Sequence, residues 1–301
     1  MRSGAPENLA ILAGLFAGVA FGVFWIPLRA IETTGLPALW AICLITLVPA
    51  LWCVPFAWRY RAQFRRGGRG LLGGALIGLA YALYSASFFF TEVIRAVLLF
   101  YLLPIWGFAL GRLLLGEVIT LHRWLAMGCG FFGMLVIFSA GGGMPLPRNE
   151  GDWFALGSGM AWAVGSMLVL LDRPERPVFH MTLFFGVAAI MCTGVVVAAT
   201  VLGQVALPSF AAFGAVLVWL APLSLFFLLP VGFATVFAPA RLNPGVVGLL
   251  FMIEVAVASV TAAIWAGEPI SAREWLGLAL VMGAGLIEPL VVLRKARVAA
   301  P

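Results

Sequence analysis

Glu254 sits inside the run Leu249-Leu250-Phe251-Met252-Ile253-Glu254-Val255-Ala256-Val257, with no other charge near it. A carboxylate at that depth can take up a proton or a cation, and an ionisable group inside a membrane segment is functional by default because lipid does not solvate it. The competing role is a structural hydrogen bond to a neighbouring helix; the sequence leaves both open. The other candidates for chemistry are aromatic. Tyr81 and Tyr84 lie three apart on one helical face with Ser85 beside them. Tyr101, Trp162 and Trp25 fall on three further segments. Rings of this kind hold an apolar side chain by stacking and an ammonium by cation–π attraction, worth about 0.5–2 kcal/mol. Tyr81, Tyr101 and Trp162 lie about half a helix from either membrane face, so the interfacial belt that accounts for most Trp and Tyr does not account for them. Pro104, between Tyr101 and Trp106, removes a backbone hydrogen bond and predicts either a fixed kink or a hinge.

Catalytic and metal chemistry finds no comparable set. There is no His-Glu-x-x-His and no Gly-x-Ser-x-Gly on a strand-to-helix turn. Cys43, Cys53, Cys129 and Cys192 are isolated in apolar segments and predict neither a disulfide nor a metal site. His122 and His180 are expected in short turns, away from any midplane relay. The expectation is a protein that is not an enzyme and carries no cofactor.

The elements that must position these groups follow from composition. Apolar residues make up 63% of the chain, charged residues 10%, and mean hydropathy is +1.11. Soluble domains carry roughly a quarter charged residues. A bilayer core about 30 Å thick needs roughly 20 apolar residues per helix, and ten such segments are predicted: 9–31, 36–58, 70–91, 94–114, 121–140, 152–171, 179–202, 213–237, 245–266 and 273–293. The first is too long for a cleavable signal peptide.

The chain also repeats itself. Gly116-Glu117-x-Ile119-Thr120-x-x-x-Trp124-Leu125 returns as Gly267-Glu268-x-Ile270-Ser271-x-x-x-Trp275-Leu276, displaced by 151 residues in a chain of 301. The predicted halves are 1–145 and 146–301, each with five segments. An odd number of crossings turns the second half upside down, which is the inverted-repeat plan of secondary transporters. With the N-terminus in the cytoplasm, 14 of the 18 Lys and Arg residues fall inside, and only Arg29, Arg95, Arg148 and Arg273 outside. This positive-inside bias places both termini in the cytoplasm and makes a nucleic-acid partner unnecessary to explain the net charge of +6.

Glycines recur every fourth residue (Gly14, Gly18 and Gly22; Gly70, Gly74 and Gly78; Gly107 and Gly111) and predict close helix packing. Glu117 and Glu268 are expected to be structural, with Thr120 and Ser271 as N-caps. Glu92 and Arg95 are expected to pair at the outer hairpin.

The Gly-Glu-x-x-[Ser/Thr]-x-x-x-Trp repeat, the ten segments and Phe21-Gly22 ahead of an aromatic cluster resemble the drug/metabolite transporter superfamily. The family's Glu-Pro pair survives here as Glu254-Val255, without its proline, and as Leu103-Pro104, without its glutamate. Within the superfamily the chain looks like the YddG-type exporters of aromatic and other neutral amino acids. That resemblance implies an all-α membrane protein, a basket of ten helices with segments 1, 3, 4 and 6 around a central cavity and 5 and 10 at the periphery. It also implies export across a bacterial inner membrane by alternating access. No Lys falls within a segment, so a fixed clamp for a phosphate-bearing solute is not expected. The substrate-site candidates are therefore Tyr81, Tyr84, Tyr101, Trp162, Trp25 and Ser85, with Glu254 for ion coupling and Pro104 as hinge. The expected partners are an amino-acid solute and the lipid bilayer, with one copy of the chain sufficient. Multidrug or other metabolite export is the alternative, with a passive channel behind it.

Overall fold

The computed structural model describes residues 5–138, 146–172, 177–265 and 270–298, and all regular structure among them is helical. The elements are α1 (Ala5–Gly22), α2 (Trp25–Glu32), α3 (Ala38–Trp52), α4 (Val54–Arg59), α5 (Arg61–Arg66), α6 (Arg69–Ser87), α7 (Val93–Phe100) and α8 (Leu103–Leu115). They continue as α9 (Leu121–Phe138), α10 (Glu150–Asp172), α11 (Pro177–Val201), α12 (Phe210–Leu223), α13 (Leu229–Phe237), α14 (Pro244–Phe251), α15 (Ile253–Trp265) and α16 (Ala272–Val298). Eight spans are long and apolar enough to cross a membrane; Ala38–Trp52 and Leu121–Ile137, within the second and fifth predicted segments, are apolar but shorter. The outer surface suits lipid, since large apolar side chains such as Phe210, Leu113 and Val218 stand exposed on it.

Several spans are interrupted, and proline explains most of the breaks. A proline ring clashes with the carbonyl four residues back and supplies no N–H. Pro27 reaches back to Val23, where α1 gives way to α2, and Pro104 to Phe100, the last residue of α7. Pro222 and Pro230 bracket a π-helical turn, Ser224–Leu228, between α12 and α13. Pro104 therefore does not kink a continuous helix at its own position. It opens α8 after a two-residue turn at Tyr101 and Leu102.

The break at Met252 between α14 and α15 has no proline, and it lies 151 residues beyond Tyr101, the displacement of the sequence repeat. Here Val255 N–H donates to the Met252 carbonyl, three residues back, at 3.1 Å. That leaves the Phe251 carbonyl outside the helical ladder and in need of another donor.

The glycine faces are packing faces. A β-carbon on Gly14, Gly18 or Gly22 would run into α14 and α15 at Leu250, Ile253 and Val257, so α1 lies directly on the second broken span. A β-carbon on Gly107 would strike the backbone of Gly245, and one on Gly245 would strike the Phe108 ring. Backbone thus meets backbone where α8 crosses α14. Gly116 has φ +67° and ends α8 in the left-handed conformation, which is why the first repeat motif begins with glycine. Gly267 and Glu268, its second copy, lie outside the described residues. The expected N-cap at Ser271 is present as a reciprocal pair: its hydroxyl accepts from Glu274 N–H at 3.3 Å, and its own N–H donates to Glu274 Oε2 at 2.7 Å. At Thr120 the hydroxyl instead meets His122 Nε2 at 3.1 Å.

Candidate functional site

Where the two broken spans cross, Tyr101 supplies the missing donor. Its hydroxyl lies 3.0 Å from the Phe251 carbonyl and 2.7 Å from Glu254 Oε2. One phenolic proton is shared between a freed carbonyl and a carboxyl group, so the residue at the first break ties down the second. Tyr101 is 2% exposed; it stands behind the wall of the neighbouring cavity rather than on it.

That cavity has a volume of about 140 Å³. Its floor is made by Phe251 and Glu254 at the α14–α15 break and by Phe100 at the end of α7. One wall is α6, with Ile77, Tyr81, Tyr84 and Ser85. Trp162 of α10, Phe184 of α11 and Phe21 of α1 close the sides, with Phe24 from the α1–α2 break and Leu28 of α2 beside them. The rings brace one another: Trp162 against Phe251 at 5.2 Å, Tyr84 against Phe100 at 4.5 Å, Tyr81 edge-on to Phe184 at 5.9 Å. Such pairs fix ring orientation as well as adding attraction.

The structure thus brings together Tyr81, Tyr84, Ser85, Trp162 and Glu254 around one space. It sets Trp25 apart: the indole N–H donates to Thr261 Oγ1 of α15 at 3.0 Å, beside a wider recess with Arg29 and Trp265. Sequence reasoning passed over Phe100, Phe184 and Phe251. Phenylalanine is common enough in membrane spans to carry no signal alone, although Phe251, three residues before Glu254, shares its helical neighbourhood.

Two polar clusters flank the site, one at each end of the bundle. At the first, Glu117 accepts from Asn243 Nδ2 at 2.9 Å, while Asn243 Oδ1 caps α14 by accepting from Gly245 N–H at 2.8 Å. Arg123 of α9 pairs with Glu288 of α16 at 2.8 Å and reaches Glu117 at 3.4 Å. The motif glutamate therefore ties the end of α8 to the start of α14. At the opposite end Arg95 does not take the expected partner. Both Arg95 Nε and Nη2 bind Asp152, with 2.5 Å for the shortest contact, and Asp152 is wholly buried at the start of α10. Thr91 also donates to Asp152, at 2.6 Å. Asp152 wins over Glu92 because its carboxylate gathers Arg95, the Thr91 hydroxyl and the Arg148 N–H, and these bonds offset its burial, whereas Glu92 stands exposed. His180 likewise departs from expectation: it is buried in the first turn of α11, not in a connecting turn.

Packing differs between the two ends. The second half of the first broken span, α8, lies tightly on the first half of the other, α14; the remaining halves, α7 and α15, have no comparable contact. The cavity occupies the space on that looser side. Among the described residues no group of histidines, cysteines or acids is placed to hold a metal ion.

Residues 8–139 match the model of the EamA-like transporter family. A solved structure described as "Crystal structure of protein" is similar in fold, with a TM-score of 0.69 and 17% identity over 96% of this chain and 99% of that one. No curated protein matches the sequence.

Proposed function

We propose that the protein is a secondary transporter that exports amino acids or related small metabolites by alternating access, built as two inverted five-helix repeats. The observation that carries this reading is the crossing of two spans broken 151 residues apart, at Tyr101 and Met252, beside a cavity. In inverted-repeat transporters discontinuous spans meet at the substrate site near the midplane. A likeness to the EamA-like transporter model over residues 8–139 supports the same class.

Alternating access needs two ends that close in turn. The α8–α14 end is sealed by glycine packing and by the Glu117–Asn243 hydrogen bond. With both termini in the cytoplasm, as the Arg distribution argues, the sealed end is the cytoplasmic one and the cavity faces outward. The partner state would close α7 on α15 and part α8 from α14. A passive channel is the weaker reading, because the cavity is walled mainly by rings and its floor is the packed crossing itself.

Purified protein in liposomes tests the class. Saturable uptake with trans-stimulation by unlabelled solute is the expected result. Linear flux without counterflow would leave a channel instead.

A further inference from the structure

Resting on the transporter class of that reading, and narrowing its solute from amino acids to related amines, we propose that the cavity selects a monocationic aromatic amine over the corresponding zwitterionic amino acid. The cavity holds one carboxyl group, Glu254, within a box of rings that includes Trp162, Phe251, Tyr84 and Phe100. No Lys, Arg or His lines it among the described residues. An ammonium finds there aromatic faces and a carboxyl group whose ionised form its own charge would stabilise, the two features that recognise an organic cation in a dry site.

A carboxylate on the same solute finds neither. Its options are neutral hydroxyls and the indole of Trp162, and Glu254 lies in the same small space. Two carboxylates confined together repel, and a buried charge without a cationic partner is costly. Glu254 is itself only partly engaged. Among the described residues its hydrogen-bond donor is Tyr101, to Oε2 alone, which leaves Oε1 free to accept from a solute. A cavity of about 140 Å³, close to the roughly 150 Å³ that accommodates a single benzene ring, has room for one aryl group.

The test uses full-length protein purified in detergent and radiolabelled 2-phenylethylamine. Unlabelled 2-phenylethylamine should displace it at a concentration about tenfold or more below that needed by L-phenylalanine, and 2-phenylethanol, which lacks the charge, should be weaker still. Displacement by L-phenylalanine or by the alcohol as effective as by the amine overturns the proposal, as does absence of amine binding. In Glu254→Gln the advantage of amine over alcohol should vanish; its persistence also overturns the proposal. Should that variant fail to fold, the three-ligand comparison on the unaltered protein decides alone. Flux separates the two readings. Selective amine binding without saturable transport in liposomes would sink the transporter and leave this site standing, whereas saturable transport indifferent to the α-carboxylate would do the reverse.

Discussion

Tyr101 and Glu254 stand 153 residues apart in the chain and 2.7 Å apart in space, hydroxyl to carboxyl, where the two interrupted spans cross. The same hydroxyl serves the Phe251 carbonyl. One side chain therefore stabilises the crossing and sets how much of Glu254 remains for a solute or a proton.

Removing only that hydroxyl is the most direct probe. Tyr101→Phe keeps the ring and strands the buried Phe251 carbonyl and one oxygen of the part-buried Glu254, at a cost of about 1–3 kcal/mol. Thermal unfolding in detergent should shift downward, and transport at matched protein should fall. An unchanged melting curve would show that the hydroxyl bond contributes nothing to the crossing.

Trp162 lies on the cavity and braces Phe251. Trp162→Ala should weaken solute binding by up to roughly tenfold, the loss of one ring contact, when compared at equal amounts of folded protein, because truncating a buried tryptophan also costs stability. Trp124, 57% exposed, serves as the control: its alanine variant should transport normally. Full activity of Trp162→Ala would move the site elsewhere.

Glu254 is also the coupling candidate. Glu254→Gln cannot exchange a proton, so uptake driven by an imposed pH gradient should be lost, while counterflow at saturating solute persists. A pH-gradient response that survives in the variant would assign coupling to another group or to none.

The buried pair at the opposite end makes a sharper stability prediction than the cavity does. Asp152→Ala leaves Arg95, which is only part-buried and keeps its bond to the Leu146 carbonyl, without its bidentate partner, at a cost of about 1.5–3 kcal/mol. Folded protein should fall steeply. Glu92→Gln, at an exposed position, should change little. Equal losses in the two variants would return Glu92 to the role first expected of it.

Topology can be checked without function. Single cysteines at positions 146 and 298 should label from opposite faces of the membrane if the halves are inverted. Labelling from the same face would contradict both the orientation and the repeat.

What could be read from residues alone was what depends on composition and local pattern. The eight membrane-length apolar spans, the displaced motif, and Tyr81, Tyr84, Ser85 and Glu254 as groups with no reason to face lipid all follow from hydropathy and helical spacing. What could not be read depends on long-range pairing. Arg95 has an acid three residues away, yet binds Asp152, 57 residues on. Arg123 and Glu288 are 165 residues apart. Tyr101 lies at the crossing, beside the cavity and not on it, and nothing local says that the Phe251 carbonyl will lack a donor. Pro104 was visible, but whether a proline bends a helix or begins a new one depends on the turn before it.

The glycine seal between α8 and α14 has a consequence for how this sequence can drift. At Gly107 and Gly245 every replacement adds atoms, and the first atom added already collides with backbone or a fixed ring. The positions 151 residues past Gly107 and Gly111 are Ala258 and Ala262, which carry a β-carbon already. Random mutation should therefore be far less tolerated on one side of the bundle than on the other. A saturation library selected for transport should recover Gly107 and Gly245 nearly unchanged while Ala258 and Ala262 diversify, so that the two sides of the crossing age at different rates.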